Sequence, residues 1–278
     1  MLLRHRDKPA DGQTLLHQEA YARRIVERFG LTDANAAVTP YVHEDRDPDS
    51  APLAADKPYR EAVGSLLYLA GCTRPDIAFA VSRASRHLAD PTEQDWTAVK
   101  RIFKYVLANY GLGPIYRKTS RTAADLFAYS DADFSGCSET RRSTSGVMVM
   151  LADAPIIWTS KRQLSVALST TEAEFIAASE ATKEAVWATG LLTELGYVTK
   201  IPALLIDNLS TVALIENPLF HQRTKHIDVR YKFVREHAAA GRIKPTHVPA
   251  ANQYADMLTK GLNGPTLKAA IKDIRLTI

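Results

Sequence analysis

Leu126-Phe127-Ala128-Tyr129-Ser130-Asp131-Ala132-Asp133 is the stretch on which the reading of the fold turns. Its first four residues have the character of a strand, and the polar run from Ser130 marks where that strand leaves a sheet. Two more apolar runs follow, Gly146-Val147-Met148-Val149-Met150-Leu151 and Pro155-Ile156-Ile157-Trp158-Thr159, parted only by Ala152-Asp153-Ala154. They read as a second and a third strand. A long helix is expected from Thr170 to Leu195, closed by Gly196. Beyond it come a short strand, Ala203-Leu204-Leu205-Ile206, ending at Asp207, and a short helix to Glu216. A helix from Ile227 to Ala240, a brief strand from Ile243 to Val248 and a final helix from Asn252 complete the pattern. The order β-β-β-α-β-α-α-β-α predicts a mixed α/β sheet with helices on its faces.

Upstream the texture is helical. Tyr59, Val63, Leu66, Leu67 and Ala70 recur at helical spacing, and Thr73 reads as the cap of a new helix with Pro75 and Asp76 in its first turn. A further helix runs from Glu93 to Asn109 and stops at Gly111-Leu112-Gly113-Pro114. Nearer the start, a helical pattern covers Leu15 to Phe29, with Gly30 as its stop. The acidic, proline-bearing run from Glu44 to Pro52 reads as an exposed linker. Three regions are therefore expected, 1–50, 51–120 and 121–278.

Composition narrows the class. With 46% hydrophobic and 24% charged residues in 278, the chain has the balance of a globular protein of one or two domains, which argues against wholesale disorder. Its net charge of +4 is compatible with a polyanionic partner without demanding one. Cys72 and Cys137 are too few for a disulfide framework or a four-cysteine zinc site. No signal-like segment opens the chain, and the apolar run from Ala62 to Cys72 falls well short of the roughly 20 residues of a membrane span. A reducing, intracellular setting without a membrane is the expectation.

Four acidic residues occupy unusual places. Asp131 and Asp207 lie at strand ends, where an open α/β sheet gathers functional side chains. Counting by threes and fours from Glu174 reaches Ala178, Ala181, Ala185, Ala188, Leu192 and Leu195, a row that should pack on the sheet. Glu174 therefore extends a buried face, where a carboxylate is costly unless it is paired or bound to a cation. Glu172 is turned roughly 200° away around the helix. Asp256 interrupts an apolar patch in the last expected helix. Taken singly, the aspartates also suit turn or cap duty. Taken together they would repel one another, and divalent metal relieves that repulsion, with oxygen-only ligation suiting Mg²⁺ or Mn²⁺. Asp133 competes with Asp131, because two positions along a strand share a face.

The runs Tyr129-Ser130-Asp131-Ala132-Asp133-Phe134, Arg141-Arg142-Ser143-Thr144-Ser145-Gly146, Trp158-Thr159-Ser160-Lys161-Arg162-Gln163 and Leu168-Ser169-Thr170-Thr171-Glu172-Ala173-Glu174-Phe175 resemble the ribonuclease H domain of copia-type LTR retrotransposon polyproteins. So do Ile206-Asp207-Asn208, Lys225-His226-Ile227-Asp228-Val229-Arg230 and Gln253-Tyr254-Ala255-Asp256-Met257-Leu258-Thr259-Lys260. The helical region, through Tyr59 to Leu69 and Thr73-Arg74-Pro75-Asp76-Ile77, resembles the stretch between polymerase and ribonuclease H in those elements. The first helix with Thr39-Pro40 is similar to the end of their reverse transcriptase domain.

The resemblance implies a ribonuclease H-like mixed sheet preceded by a smaller helical region. It also implies a nuclease using two Mg²⁺ ions, or Mn²⁺, to cut the RNA strand of an RNA/DNA hybrid. Asp131 matches the aspartate that bridges both metals, Glu174 and Asp207 match ligands of one metal, and Asp256 matches the ligand nearer the attacking water. A reverse transcriptase core is the further partner implied, in a cytoplasmic virus-like particle or the nucleus. Many relatives carry a histidine shortly before the last aspartate. His247 is nearest here, but it falls in an expected strand. No two aspartates are adjacent, so the paired aspartates of a polymerase site are missing.

Other patterns carry less. His221, His226, His237 and His247 lack the spacing of a zinc site. An integrase would carry a glutamate about 35 residues after its second aspartate, and that count from Asp207 reaches Arg242. Arg141, Arg142, Lys161 and Arg162 flank the first three strands, and Arg223, Lys225, Arg230, Lys232, Arg235, Arg242 and Lys244 enrich the later part. A phosphate-tracking surface beside the acidic residues is expected, with salt-sensitive binding. Asn208 and Gln253, beside metal-binding positions, are candidates for nucleic-acid contacts that read the 2′-OH. The competing expectation is an inactive element fragment that at most binds nucleic acid.

Overall fold

A computed structural model describes residues 4–6, 12–117, 123–137, 139–217 and 225–278. The chain forms two compact units, one of Met1–Arg117 with Lys260–Ile278 and the other of Lys118–Thr259.

In the first unit, β1 (Arg4–Arg6) pairs antiparallel with β2 (Gln13–His17), and β2 with β3 (Gly113–Arg117). The helix expected over Leu15 to Phe29 therefore begins later, as α1 (Glu19–Arg28). Leu15 belongs to a strand because β3 offers its backbone a partner, and β3 itself replaces the end of the expected helical region. α2 (Tyr59–Cys72), α3 (Ala78–Ser85) and α4 (Glu93–Ala108) follow the apolar spacing, burying Ala62, Val63, Leu66, Val81, Val99 and Phe103. α4 opens on a capping box between Thr92 and Asp95. Thr73 does not cap the next helix as expected, since its hydroxyl donates to Gln18 Oε1 at 2.9 Å. Asp76 instead receives Arg74 in a fully buried fork, Nε to Oδ1 at 2.9 Å and Nη2 to Oδ2 at 2.8 Å, within a 3₁₀ turn at Pro75–Ile77.

The second unit opens with β4 (Ala123–Ala124) and then β5 (Leu126–Asp133), β6 (Thr144–Leu151) and β7 (Ala154–Arg162), an antiparallel meander. α5 (Thr170–Glu194) packs along it through Ala178, Ala181, Ala185 and Ala188, all buried. Leu195 ends the predicted row exposed. β8 (Val198–Thr199) pairs with β4, and β9 (Ala203–Ile206) lies parallel beside β5. After α6 (Leu209–Glu216) and α7 (Lys225–Ala239), β10 (Lys244–His247) pairs parallel with β9. The sheet order is β10-β9-β5-β6-β7, with β6 running opposite to the other four strands. The expected mixed sheet with its helices is present.

The helix expected from Asn252 is replaced by two 3₁₀ turns, Ala250–Asn252 and Tyr254–Leu258. Gln253 between them is extended (φ −82°, ψ 92°) because its side-chain amide donates to Ser130 O of β5 at 2.9 Å. A continuous helix could not hold that bond. The chain then returns to the first unit through α8 (Gly264–Asp273) and β11 (Leu276–Thr277), which pairs antiparallel with β3. The region expected to run to 278 thus ends its packing at Thr259. No helix among the described residues is long and apolar enough to cross a membrane.

Candidate metal centre

β5 and β9 are parallel, with Ser130 opposite Ile206. Asp131 follows Ser130 within β5 and Asp207 follows the last residue of β9, so both aspartates stand at the same end of the two strands. Gln253 fixes the second 3₁₀ turn to Ser130, one residue from Asp131, and the turn carries Asp256 to the same place. Carboxylate oxygens of Asp131, Asp207 and Asp256 all lie within 4.8 Å of one another. Asp131 is buried and the other two are half-buried.

Glu174 lies outside that group but interacts with the charge of all three aspartates. It sits in the first turns of α5, whose N-cap Ser169 accepts from Glu172 N at 3.2 Å. Burial pushes the Glu174 carboxyl up to about 9, and the charges of Asp131, Asp207 and Asp256 push the same way, against one backbone hydrogen bond from Ala132. Glu174 Oε2 is buried with no hydrogen-bond partner among the described residues. Glu172, turned elsewhere as expected, accepts Leu168 N at 2.9 Å instead.

Thr259 was not anticipated. It is fully buried, and its hydroxyl donates to Asp131 Oδ2. Gly146, opposite Asp131 on β6, was also missed: a Cβ there would stand 2.8 Å from Ala255 O and 2.8 Å from Thr259 Cγ2. The available signal was a glycine inside an apolar strand, which marks close backbone approach.

This donor set fits a hard divalent cation. The three aspartates offer carboxylate oxygens alone, close enough to share an ion, and the buried Glu174 Oε2 lacks a hydrogen bond among the described residues. Asp133 is not in the group, since its carboxylate lies against Gly136, where an added Cβ would collide with it.

The other expected residues are distributed as follows. Asp133 pairs with Thr144 and Thr144 with Arg162, so Arg141, Arg142, Lys161 and Arg162 stand at the carboxylate end of the sheet. Arg141 and Lys161 are exposed and Arg142 and Arg162 half-buried. Asn208 caps α6, its Oδ1 accepting Thr211 N at 2.9 Å. Gln253 is 4% exposed, with its amide on Ser130 and its carbonyl oxygen on Ala255 N, so it anchors the turn and does not face a ligand. His247 is exposed and opposite Ile206, at the strand end next to Asp207. His221, Arg223 and the side chains of Lys225 and His226 lie outside the described residues. Among the described residues the only metal-competent group is the three aspartates.

Comparison with known proteins is informative at the sequence level. Retrovirus-related Pol polyproteins of plant transposons are similar to this chain, among them that of TNT 1-94 from Nicotiana tabacum, 39% identical over an alignment of 253 residues that covers 88% of this chain and 19% of the polyprotein. The chain thus spans less than a fifth of that relative's length. The secreted RxLR effector protein 161 of Plasmopara viticola is 46% identical over 132 residues, 48% of this chain and 92% of the effector. A solved N-terminal ribonuclease H domain of Rv2228c from Mycobacterium tuberculosis aligns with TM-score 0.37 at 18% identity, covering 54% of this chain and 97% of that one. No family model matches the chain.

Proposed function

The chain belongs to the retrovirus-related Pol polyproteins of copia-type transposons, and from that premise we propose that its second unit is a two-metal ribonuclease H. The observation that carries the proposal is the meeting of Asp131, Asp207 and Asp256 within 4.8 Å, with Glu174 buried beside them. These four residues would hold Mg²⁺, or Mn²⁺ in its place. The chemistry a pair of such ions supplies is polarisation of a phosphodiester and activation of the attacking water. Burial first, and the neighbouring carboxylates with it, favours a protonated Glu174 in the absence of metal, and a bound cation would favour its ionised, ligating form.

The substrate is the RNA strand of an RNA/DNA hybrid. Arg141, Arg142, Lys161 and Arg162 track its phosphates at the carboxylate end of the sheet, and Asn208, next to Asp207, approaches the 2′-OH. Residues 1–50 correspond to the end of a reverse transcriptase and 51–120 to its connecting region, with 121–278 containing the nuclease. The reverse transcriptase core of a full-length polyprotein is the partner, inside the cell in a virus-like particle or the nucleus.

A labelled RNA/DNA hybrid incubated with the chain and Mg²⁺ tests this. Cleavage of the RNA strand, abolished by EDTA, by Asp131→Asn and by Asp207→Asn, is expected. Salt-sensitive binding with no metal-dependent cleavage would instead identify an inactive element fragment.

A further inference from the structure

Each segment that carries a carboxylate on β5, α5 or β9 to the centre also leaves a large apolar side chain in water. Phe134, just beyond the end of β5, is 41% exposed, Leu168, just ahead of α5, is 80% exposed, and Leu209, the first residue of α6, is 65% exposed. Leu164 and Val166, at 78% and 47%, extend the pattern along the loop between β7 and α5. One exposed leucine is ordinary on a folded protein. Repetition beside three of the four approaches to an acidic centre is not explained by the core, which none of these side chains joins.

The loop that carries three of them is held in place. Ala167, between Val166 and Leu168, is 3% exposed in a small apolar cluster with Ala132, Ala173 and Ala177. Ala132 and Ala173 are the chain neighbours of Asp131 and Glu174, so the loop is pinned at the edge of the centre. Gln163 secures its start, its amide donating to Ser145 Oγ at 2.9 Å and to Ala173 O at 3.0 Å. Leu168 N donates to Glu172 Oε2 at 2.9 Å at its end. The exposed aliphatic side chains are therefore presented by a backbone already ordered, which lowers the entropic cost of using them in binding.

From this we infer that the apolar rim seats the sugar faces of an RNA/DNA hybrid in its wide, shallow minor groove, supplying a salt-independent part of substrate binding. The inference rests on the nuclease reading above. A carboxylate centre repels phosphates, so a strand brought to it must be held by groups outside it. The three arginines and Lys161 at the strand ends serve the phosphates. The aliphatic rim suits the apolar edges of the sugars beside a minor groove that an A-like duplex holds wide and shallow and B-form DNA holds narrow.

The test uses the full chain carrying Leu164→Ser, Leu168→Ser and Leu209→Ser together. All three positions are exposed, so unchanged thermal unfolding and unchanged Mn²⁺ uptake verify the fold. Binding of a labelled hybrid is followed by anisotropy over a range of salt, with Ca²⁺ replacing Mg²⁺ to suppress cleavage. The triple variant should bind the hybrid roughly tenfold more weakly, with the slope of log affinity against log salt unaltered and duplex DNA binding little changed. Lys161→Ala with Arg162→Ala should instead flatten that slope. Hybrid affinity within about twofold of the parent, an altered slope, or an equal loss on duplex DNA would overturn the inference. If the parent cleaves hybrid and the triple variant binds as well as the parent, only the rim falls. If the parent takes up no divalent metal, the nuclease reading falls and the rim with it.

Discussion

Thr259 gives its hydroxyl proton to Asp131 from a position closed to water. The bond fixes the rotation of one carboxylate in a crowded group, and such supporting contacts tune metal affinity as strongly as many ligands do. Thr259→Val, which keeps the shape and removes the hydroxyl, should weaken Mn²⁺ uptake roughly tenfold by calorimetry, while Thr259→Ser retains it. Glu174 gives a pH signature. Its folded-state pKa, raised to about 9 from an ordinary 4.5, means that the folded metal-free chain holds a proton the unfolded chain releases. The stability this group contributes is complete below about pH 4.5 and is lost as pH climbs through about 9. Metal-free unfolding temperatures should therefore fall between those limits more steeply for the parent than for Glu174→Gln, which stays neutral. Saturating Mg²⁺ should remove the difference in slope by binding the ionised form. Equal slopes in the metal-free proteins would count against the burial of this carboxyl.

The turn at Tyr254–Leu258 carries Asp256, and β6 gives it room only because Gly146 lacks a side chain. Gly146→Ala should destabilise the second unit by about 1–3 kcal/mol through overpacking and weaken metal uptake with it, both read by calorimetry. The end of β9 is legible in the amino-acid sequence, because an aspartate directly after an apolar run is a readable event, whereas β5 runs past its expected end at Ser130 to Asp133 because β6 goes on pairing with it. Glu174 is legible through the alanine row it continues. The turn is not: Asn252 to Leu258 has helical texture, and what interrupts it is a bond from Gln253 to a strand 123 positions earlier. For the same reason Gln253 reads as a ligand-facing amide when it is an anchor. Leu15 and Gly113–Arg117 read as helical surroundings because each is a strand only by virtue of the other. Local periodicity carries no record of such partners.

At the scale of the molecule, the residues after Thr259 belong with those before Lys118. Ile274 is wholly buried and Leu276 nearly so. Ile274→Ala should cost about 2–5 kcal/mol in the first unit, seen as an earlier unfolding transition, with Mn²⁺ uptake by the second unit retained. Loss of both together would show that the units do not unfold separately. The charge balance at this scale, +4 overall, is consistent with a nucleic-acid partner, but the register of β5, β6 and β7 is what gathers four of the basic residues at the acidic end.

The pairing of β3 with β11 has a consequence during synthesis. The ribosome makes most of the first unit early, yet that unit lacks its edge strand until Leu276 and Thr277 emerge. The second unit, made in between, has all its strands by then and is free to fold sooner. The part of the first unit that precedes the second unit in the chain is completed only after it, and its β3 edge stays unpaired in the meantime.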